Sequence, residues 1–243
     1  MNKIVLVTGG SRGIGAATSR HLAQEGYWVC INYLQNEEAA LELVALIGSE
    51  GGEAIAVQAD VSIEEDVKRL FETIDEVYGP ITHLVNNAGI IEPQAKLLDM
   101  DAKRINKVLN TNVTSCFLCC KEAIKRMGEG CAIVNVSSMA AKLGSPNEYI
   151  DYAASKGAID SLTIGLAKEV AHLDIRVNAV RPGLIYTNIH KSAGEENRVE
   201  RLKDSVPLKR GGEPYEVASA IVYLLSEEAS YSTGIFIDVS GGR

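Results

Sequence analysis

The sequence predicts an α/β fold in which one doubly wound parallel sheet of seven strands carries helices on both faces. Short apolar segments, each about five to eight residues long, alternate along the chain with longer amphipathic segments. The short segments are apolar throughout, which is typical of parallel strands that crossover helices cover on both sides. No Pro/Ser-rich linker, charge block or internal repeat interrupts the 243 residues. We therefore expect a single domain over residues 1–243.

The strands and helices follow from this alternation. Strands are expected at residues 3–9, 27–33, 53–60, 81–89, 131–138, 175–183 and 234–240. Helices are expected at residues 15–26, 36–52, 63–79, 102–127, 151–173 and 214–226. Ser62 with Glu65 three residues later has the pattern of an N-cap for the third helix. Ligands of doubly wound sheets bind beyond the carboxyl ends of the strands, so residues at strand ends are the candidates for a functional site.

Composition and charge exclude several classes of function. Hydrophobic residues make up 46% and charged residues 23% of the chain, with a net charge of −8 and no run of Lys or Arg. Nucleic acid and anionic membranes are therefore not expected as partners. No apolar run approaches the roughly 20 residues of a membrane span. The apolar run at residues 4–7 is also too short to be the apolar core of a signal peptide. We expect a soluble cytoplasmic protein.

The cysteines do not form a recognisable framework. Their number is odd, and the C-x-x-C at residues 116–119 has no second pair at ligand spacing. Buried free thiols in a reducing compartment are the better interpretation, and no metal site is expected. The five are Cys30, Cys116, Cys119, Cys120 and Cys131.

A glycine-rich turn, "TGGSRGIG" at residues 8–15, lies between the first strand and the first helix. Glycines let the backbone approach a pyrophosphate, and the helix N-terminus offers free N–H groups. The spacing is T-G-x-x-x-G-x-G, because Thr18 occupies the third-glycine position of G-x-G-x-x-G. The alternative is a glycine turn without a ligand. The candidate cofactor contacts here are Gly9, Ser11, Arg12, Gly13, Ile14 and Gly15.

The end of the second strand bears on the choice of coenzyme. A carboxylate there would hydrogen-bond the ribose 2′-OH of NAD and repel the phosphate of NADP. The chain has Asn32 instead, and Arg12 in the glycine turn is able to pair with a phosphate. These residues favour NADP(H) over NAD(H). If Arg12 is a solvated surface residue and Asn32 a turn residue, NAD remains open.

Three further strand ends carry candidate cofactor contacts. Asp60 after the third strand is able to accept a hydrogen bond from an adenine amino group. Small residues in "NNAG" let a nucleotide lie against the backbone. "RPGLIYT" turns the chain after the sixth strand, where side chain and backbone are able to meet a carboxamide; a plain loop is the alternative. The candidates are Asp60, Val61, Asn87, Ala88, Gly89, Pro182, Gly183, Ile185 and Thr187.

Tyr152 and Lys156 lie four positions apart in a predicted helix, so their Cβ atoms share one face at about 5–6 Å. A tyrosine of pKa about 10 is a poor acid or base at neutral pH, and a nearby ammonium group lowers that pKa. Ser137 and Ser138 end the fifth strand, where a hydroxyl group polarises a carbonyl oxygen. The same spacing on another surface is typical of an ordinary surface pair. At the edge of a nucleotide crevice it favours an acid/base pair.

These motifs together resemble the classical short-chain dehydrogenase/reductase family. "TGGSRGIG", "NNAG", Tyr152-x-x-x-Lys156, "RPG" and the terminal "TG…GG" occur in the family's order, and the resemblance covers essentially the whole chain. It implies a Rossmann-type three-layer fold, hydride transfer between a nicotinamide and a ketone or secondary alcohol, and a homotetramer or homodimer. The chain looks most similar to the branch of 3-oxoacyl-carrier-protein reductases and glucose 1-dehydrogenases.

The resemblance also implies roles for four residues. Tyr152 corresponds to the general acid/base, and Lys156 to the residue that lowers its pKa and holds the nicotinamide ribose. Ser138, rather than its neighbour Ser137, corresponds to the serine that polarises the substrate. Asn112, with Asn110 as a competitor, resembles the asparagine that supports a water-linked proton relay. The alternatives are an NAD-dependent sugar or polyol dehydrogenase and a catalytically silent nucleotide sensor, although sensors typically lose the tyrosine or the lysine.

The chain departs from the family pattern at several places. Ser138 and Tyr152 are 14 positions apart, one more than in many members. Leu34 stands where NADP-preferring relatives often carry Arg, and Ser240 stands where Asp is usual. We expect Asp151 on the substrate side, and the polar segment 186–210 to be a mobile lid. Segments 139–151 and 186–210 are expected to set substrate specificity.

Overall fold

The computed structural model describes residues 2–243. Their seven strands form one sheet in the order β3-β2-β1-β4-β5-β6-β7, and all its strand pairs are parallel. This confirms the predicted doubly wound α/β fold. The strands are β1 (Ile4–Val7), β2 (Trp28–Tyr33), β3 (Glu53–Gln58), β4 (His83–Asn86), β5 (Ala132–Val136), β6 (Arg176–Pro182) and β7 (Phe236–Val239).

Helices cover both faces of the sheet. The α-helices are α1 (Gly13–Gln24), α2 (Glu37–Ser49), α3 (Glu64–Val77), α4 (Ala102–Leu109), α5 (Ser115–Ile124), α6 (Ala140–Leu143), α7 (Ile150–Glu169), α8 (Ile189–Ser192), α9 (Arg198–Leu202) and α10 (Pro214–Leu225). Buried side chains of α3, α5 and α7 pack on one face of the sheet, and those of α1, α2 and α10 pack on the other. The architecture therefore has three layers.

The central strand shows why an uninterrupted apolar run is needed. In β1, Leu6 packs into the layer of α3, α5 and α7, whereas Val5 and Val7 pack into the opposite layer, and all three are fully buried. Successive strand residues point to opposite faces, so a strand with helices on both sides needs apolar residues at every position. The five cysteines are buried and unpaired, as the sequence predicted.

Four local differences from the sequence-based assignment have physical causes. β1 and β4 are shorter than predicted because the residues after them leave the sheet to form the turns of the cleft. The predicted helix 102–127 is α4 and α5 joined by a π-helical turn, Asn110–Thr114. Ser62 is not an N-cap, because its hydroxyl donates to Asp60 Oδ1 at 2.6 Å and α3 begins only at Glu64. The predicted polar lid contains α8 and α9.

The strand order places a crevice between the carboxyl ends of β1 and β4. The chain builds outward from β1 through β2 to β3, then returns to β4 on the other side of β1. Such a switch point separates the loops after the two strands and leaves room for a ligand. Among residues 2–243, no helix is long and apolar enough to cross a membrane.

Candidate active site

One cleft of about 770 Å³ runs along the carboxyl ends of the strands. It brings the glycine turn, the ends of β2, β3 and β4, the start of α7 and the turn after β6 around a single space. The predicted residues that line it are Gly9, Ser11, Arg12, Gly13, Ile14, Asn32, Asp60, Val61, Asn87, Ala88, Gly89, Ser138, Tyr152, Lys156, Pro182, Gly183, Ile185 and Thr187. Gly15 and Asn112 are not part of the lining and lie behind it.

The glycine turn has the backbone that the sequence predicts. Gly9 and Gly13 have φ angles of 58° and 53°, in the left-handed region that favours glycine. Gly15 has another function, because a Cβ there would lie 2.6 Å from Asn87 Nδ2 and would also overlap the Gly9 carbonyl oxygen. Gly13 and Ile14 begin α1, so free N–H groups of the helix N-terminus face the same cleft. The turn therefore has the shape and polarity of an anion-binding site.

A pair of residues that the sequence did not single out together holds this turn against the end of β4. Thr8 Oγ1 accepts the N–H groups of Asn87 and Ala88, both at 3.0 Å. The Asn87 side-chain amide in return donates to the carbonyl oxygens of Thr8 and Gly9, at 2.9 and 3.0 Å. Asn87 thus lines the cleft and also fixes the two loops that form it.

Asn32, which stands where a carboxylate would favour NAD, lines the cleft at the end of β2. Its side chain is buried, its Oδ1 accepts the Gly9 N–H at 3.2 Å, and its Nδ2 donates to the Ala59 carbonyl at 3.1 Å. Its polar atoms therefore brace the turn, and its side chain is not free to recognise a ribose. Tyr33 ends β2 and lines the cleft, as do the three residues that follow it: Leu34, Gln35 and Asn36.

The end of the cleft beside β2 has both positively and negatively charged side chains nearby. Arg12 is exposed and forms no ion pair within residues 2–243. Leu34 is half exposed and brings no charge. The Tyr33 hydroxyl donates to Glu37 Oε1 at 3.2 Å, in the first turn of α2. Asp60 also lines the cleft, but its Oδ1 already accepts the backbone N–H and the hydroxyl of Ser62.

The start of α7 places the predicted catalytic pair at the centre of the cleft. Lys156 Nζ lies 5.7 Å from the centroid of the Tyr152 ring and donates to the Val136 carbonyl at 2.7 Å. Ser138 lines the cleft together with Tyr152, and its Oγ accepts the Ala140 N–H at 3.1 Å. Ser137 instead donates to Asp160 Oδ1 at 2.7 Å, away from the phenol. The geometry therefore supports Ser138 over Ser137 as the partner of Tyr152.

The electrostatics of this pair differ from the sequence-based expectation. Burial raises the pKa of the Tyr152 phenol, and the hydrogen bond from Ser138 opposes this rise. Burial also lowers the pKa of Lys156 to about 8. The pKa of Tyr152 lies above its ordinary value because desolvation of the phenolate is the largest cause. The phenol therefore retains its proton at neutral pH.

Asn112 lies behind the pair, in the π-helical turn between α4 and α5. Its Oδ1 accepts the Ile90 N–H at 2.7 Å, and its Nδ2 donates to Ile90 O and Ser155 Oγ, both at 3.0 Å. A Cβ on Gly89 would lie 3.4 Å from Asn112 Oδ1 and 3.6 Å from Lys156 Nζ. Asn112 therefore joins the loop after β4 to α7 and lies close to Lys156. Asn110 is exposed and lines the cleft.

Asp151 does not face the substrate side as expected. It is buried, it accepts the Arg104 Nε–H at 2.8 Å, and it is not part of the cleft lining. Arg104 also donates to the Pro93 carbonyl at 2.6 Å, so this ion pair ties the start of α7 to α4 and to the loop after β4. The sequence offers no pattern that pairs residues 47 positions apart.

The substrate end of the cleft is lined by residues from the two segments that the sequence assigned to specificity. They are Met139, Ala140, Leu143, Ser145, Tyr149, Thr187, Asn188, Ile189, His190 and Arg198. At the other edge, Gly183 is needed for close packing, because a Cβ there would lie 2.8 Å from the Cα of Ser240. Ser240, in place of the family's usual Asp, donates its hydroxyl to the Arg243 carbonyl at 3.0 Å.

Comparison with known proteins agrees with this geometry. The family model described as "Enoyl-(Acyl carrier protein) reductase" matches residues 9–243. The uncharacterized oxidoreductase YgfF of Escherichia coli is 59% identical, with 99% of each chain covered. The 3-oxoacyl-[acyl-carrier-protein] reductase FabG of Staphylococcus epidermidis is 35% identical, over 100% of this chain and 99% of its own. The glucose and ribitol dehydrogenase of Daucus carota is 35% identical, over 99% and 84%.

Solved structures show the same fold over the whole length. A dehydrogenase/reductase from Sinorhizobium meliloti superposes with a TM-score of 0.93 at 32% identity, covering 99% of this chain and 94% of its own. A short-chain dehydrogenase from Burkholderia cenocepacia in complex with NADP superposes with a TM-score of 0.92 at 34% identity, covering 99% and 97%. The chain is an NAD(P)-dependent oxidoreductase and belongs to the classical short-chain dehydrogenase/reductase family.

Proposed function

We propose that this chain is an NADP(H)-dependent oxidoreductase that transfers a hydride between the nicotinamide and a ketone or secondary alcohol. The observation that carries the proposal is that Ser138, Tyr152 and Lys156 line the same cleft as the glycine turn. Carbonyl reduction needs a proton donor and a hydroxyl group that polarises the carbonyl oxygen, both beside a nucleotide-binding turn. The cleft brings these three parts together.

The cofactor fits the residues present. Gly9 and Gly13 leave the backbone open to a pyrophosphate, and the N-terminus of α1 offers N–H donors. Asp60 and Val61 would hold the adenine end, whereas Pro182, Gly183, Ile185 and Thr187 would hold the carboxamide end. Lys156 would contact the nicotinamide ribose. When bound, the nicotinamide supplies or accepts the hydride.

The protein's own groups handle the proton. In the reductive direction the Tyr152 phenol donates its proton to the carbonyl oxygen, and burial keeps the phenol protonated because it raises the pKa. The Ser138 hydroxyl donates a hydrogen bond to the same oxygen as negative charge develops there. The Lys156 ammonium then stabilises the phenolate that remains and passes a proton back to it, and Asn112 supports a water-linked path by which a proton from solvent returns to Lys156.

The preference for NADP(H) is supported by charge. Arg12 is exposed in the glycine turn, and none of the residues 32–36, which line the cleft at the end of β2 and directly after it, is acidic. The Burkholderia protein was crystallised with NADP, and a metagenomic blue fluorescent protein that superposes with a TM-score of 0.92 was crystallised with NADPH. The second candidate is an NAD-dependent sugar or polyol dehydrogenase, favoured by uncharged Leu34 and the carboxylate of Glu37 nearby.

We also propose that residues 1–243 form one cytoplasmic domain. The two apolar layers share one sheet, and five buried unpaired thiols fit a reducing compartment. If instead the chain contains two domains, thermal unfolding will show two separate transitions rather than one. Export through an oxidising compartment would be revealed by fractionation of cells that express the tagged chain.

Tyr152→Phe removes the transferable proton and leaves the ring in place. We expect kcat for ketone reduction with NADPH to fall by about 10²- to 10⁴-fold, while the Kd for NADPH changes less than about threefold. Steady-state kinetics and fluorescence titration measure the two effects, and Tyr223→Phe on α10 is the matched control that keeps full activity. Retained turnover in Tyr152→Phe would refute the assignment. A wild-type protein that binds NADPH but reduces no ketone or aldehyde would instead be the nucleotide sensor.

The pKa of Lys156 predicts how the rate of carbonyl reduction depends on pH. Its pKa of about 8 means that the ammonium is present below pH 8 and is lost above it, whereas the pKa of Tyr152 is raised and lies higher. We therefore expect kcat for carbonyl reduction to fall as the pH rises through about 8. A pH profile at saturating NADPH measures this, and Lys156→Met should be slow at every pH without that inflection. A wild-type profile that is flat from pH 6 to 9 would contradict the prediction.

The family resemblance implies a homotetramer or homodimer, and we propose a homotetramer built on helix pairs. Phe117 on α5 and Ile164 on α7 are 51% and 42% exposed, which leaves apolar side chains uncovered on two long helices. Light scattering should give four times the 26.1 kDa of one chain, and Phe117→Glu should lower that mass. A monomeric wild-type protein would contradict the proposal.

A further inference from the structure

A buried arginine connects the segment over the substrate end of the cleft to the wall beside it. We call residues 186–210 the lid. Arg198, at the start of α9, is 8% exposed and lines the cleft. Its Nη2 donates to Glu148 Oε2 at 2.5 Å, and its Nη1 donates to Glu195 Oε2 at 2.9 Å. Its guanidinium carbon lies 4.8 Å from the centroid of the Tyr149 ring.

The positive charge of Arg198 is paired with the negative charges of Glu148 and Glu195. Burial alone would lower the pKa of Arg198, but its bonds to Glu148 and Glu195 raise it. Burial would likewise raise the pKa of Glu195, yet the bonds from Arg198 and Arg201 hold that pKa below its usual value. A buried guanidinium needs both of its partners, because removal of either one leaves a desolvated charge. The cluster is therefore stable only while the lid and the wall stay together.

The cluster reaches three separate parts of the site. Glu195 belongs to the lid and also accepts a hydrogen bond from Gln94 Nε2, in the loop after β4, at 2.7 Å. Glu148 and Tyr149 directly precede α7, and Tyr149 is its N-cap residue. Tyr152 follows three positions later on the same helix. A single side chain thus joins the lid to the start of the catalytic helix.

We propose that Arg198 is a positioning residue that latches the lid to Glu148 and Tyr149, closes the substrate end of the cleft and thereby sets the affinity for the substrate. The proposal rests on the proposed oxidoreductase function. It places Arg198 outside the chemistry, since the proton transfer belongs to Tyr152 and Ser138. Loss of the latch should therefore raise KM much more than it lowers kcat.

The decisive comparison is Arg198→Met against Arg201→Met. Arg201 is the matched control, because it lies on the same helix and contacts Glu195 and Glu148 from a half-exposed position, where an ion pair contributes little. For Arg198→Met we expect KM for ethyl acetoacetate to rise at least tenfold, kcat to fall less than threefold and the Kd for NADPH to stay within twofold. Arg201→Met should keep all three within about twofold.

Amide hydrogen exchange gives a readout that does not require turnover. In Arg198→Met, exchange of residues 189–205 should be at least tenfold faster than in the wild type, while exchange in α2 stays unchanged. If Arg198→Met does not fold, Glu148→Gln, which keeps the side chain's shape and removes its charge, should give the same changes in smaller size. A wild-type protein that reduces no ethyl acetoacetate counts against the proposed function with this probe, and the exchange result still tests the latch.

Three results would overturn the latch. In the first, Arg198→Met leaves both KM and the exchange of residues 189–205 unchanged. In the second, Arg201→Met has the same effects as Arg198→Met, so that the loss of any positive charge from α9 would explain them. In the third, kcat, the Kd for NADPH and exchange in α2 all change together, which would make Arg198 a structural residue of the whole fold.

Discussion

The site depends on one close contact, between the glycine turn after β1 and the loop after β4. Four hydrogen bonds cross it: two join Thr8 to Asn87, one runs from the Asn87 side chain to the Gly9 carbonyl oxygen, and one runs from the Ala88 N–H to Thr8 Oγ1. Gly15 permits this contact because any side chain there would collide with Asn87 Nδ2. Parallel order alone leaves a crevice at the switch point. This contact gives the crevice fixed walls, against which a nucleotide is able to lie.

Ion pairs hold the start of α7, the helix that carries the proposed catalytic pair. Asp151 is tied to Arg104 on α4, and Glu148 is tied to Arg198 in the lid. Buried ion pairs contribute little net stability, since desolvation offsets their attraction, but they impose one arrangement on the groups they join. Tyr152 directly follows these two attachments and Lys156 lies one turn beyond, so both are presented to the cleft from a fixed backbone. Burial in turn keeps the Tyr152 phenol protonated, because it raises the pKa.

Much of this site is predictable from the sequence, because local patterns encode it. Apolar runs locate all seven strands, and the glycine turn and the Tyr152/Lys156 spacing locate the cleft. What the sequence does not reveal depends on contacts between distant residues. Asn32 accepts the Gly9 N–H and so braces the glycine turn, and Asp151 pairs with Arg104 instead of facing the substrate. The balance between burial and a neighbouring charge at Tyr152 likewise requires the packed structure, since spacing alone does not give desolvation.

The proposed function requires that the cleft binds NADP(H) and that the enzyme reduces a carbonyl group there. Steady-state rates of the purified protein with NADPH and with NADH, across one panel of ketones and aldehydes, test it most directly. The exposed Arg12 and the absence of an acidic residue at positions 32–36 predict a kcat/KM at least about tenfold higher with NADPH, which corresponds to about 1.4 kcal/mol. A strong preference for NADH, or no turnover with either coenzyme, would contradict the account.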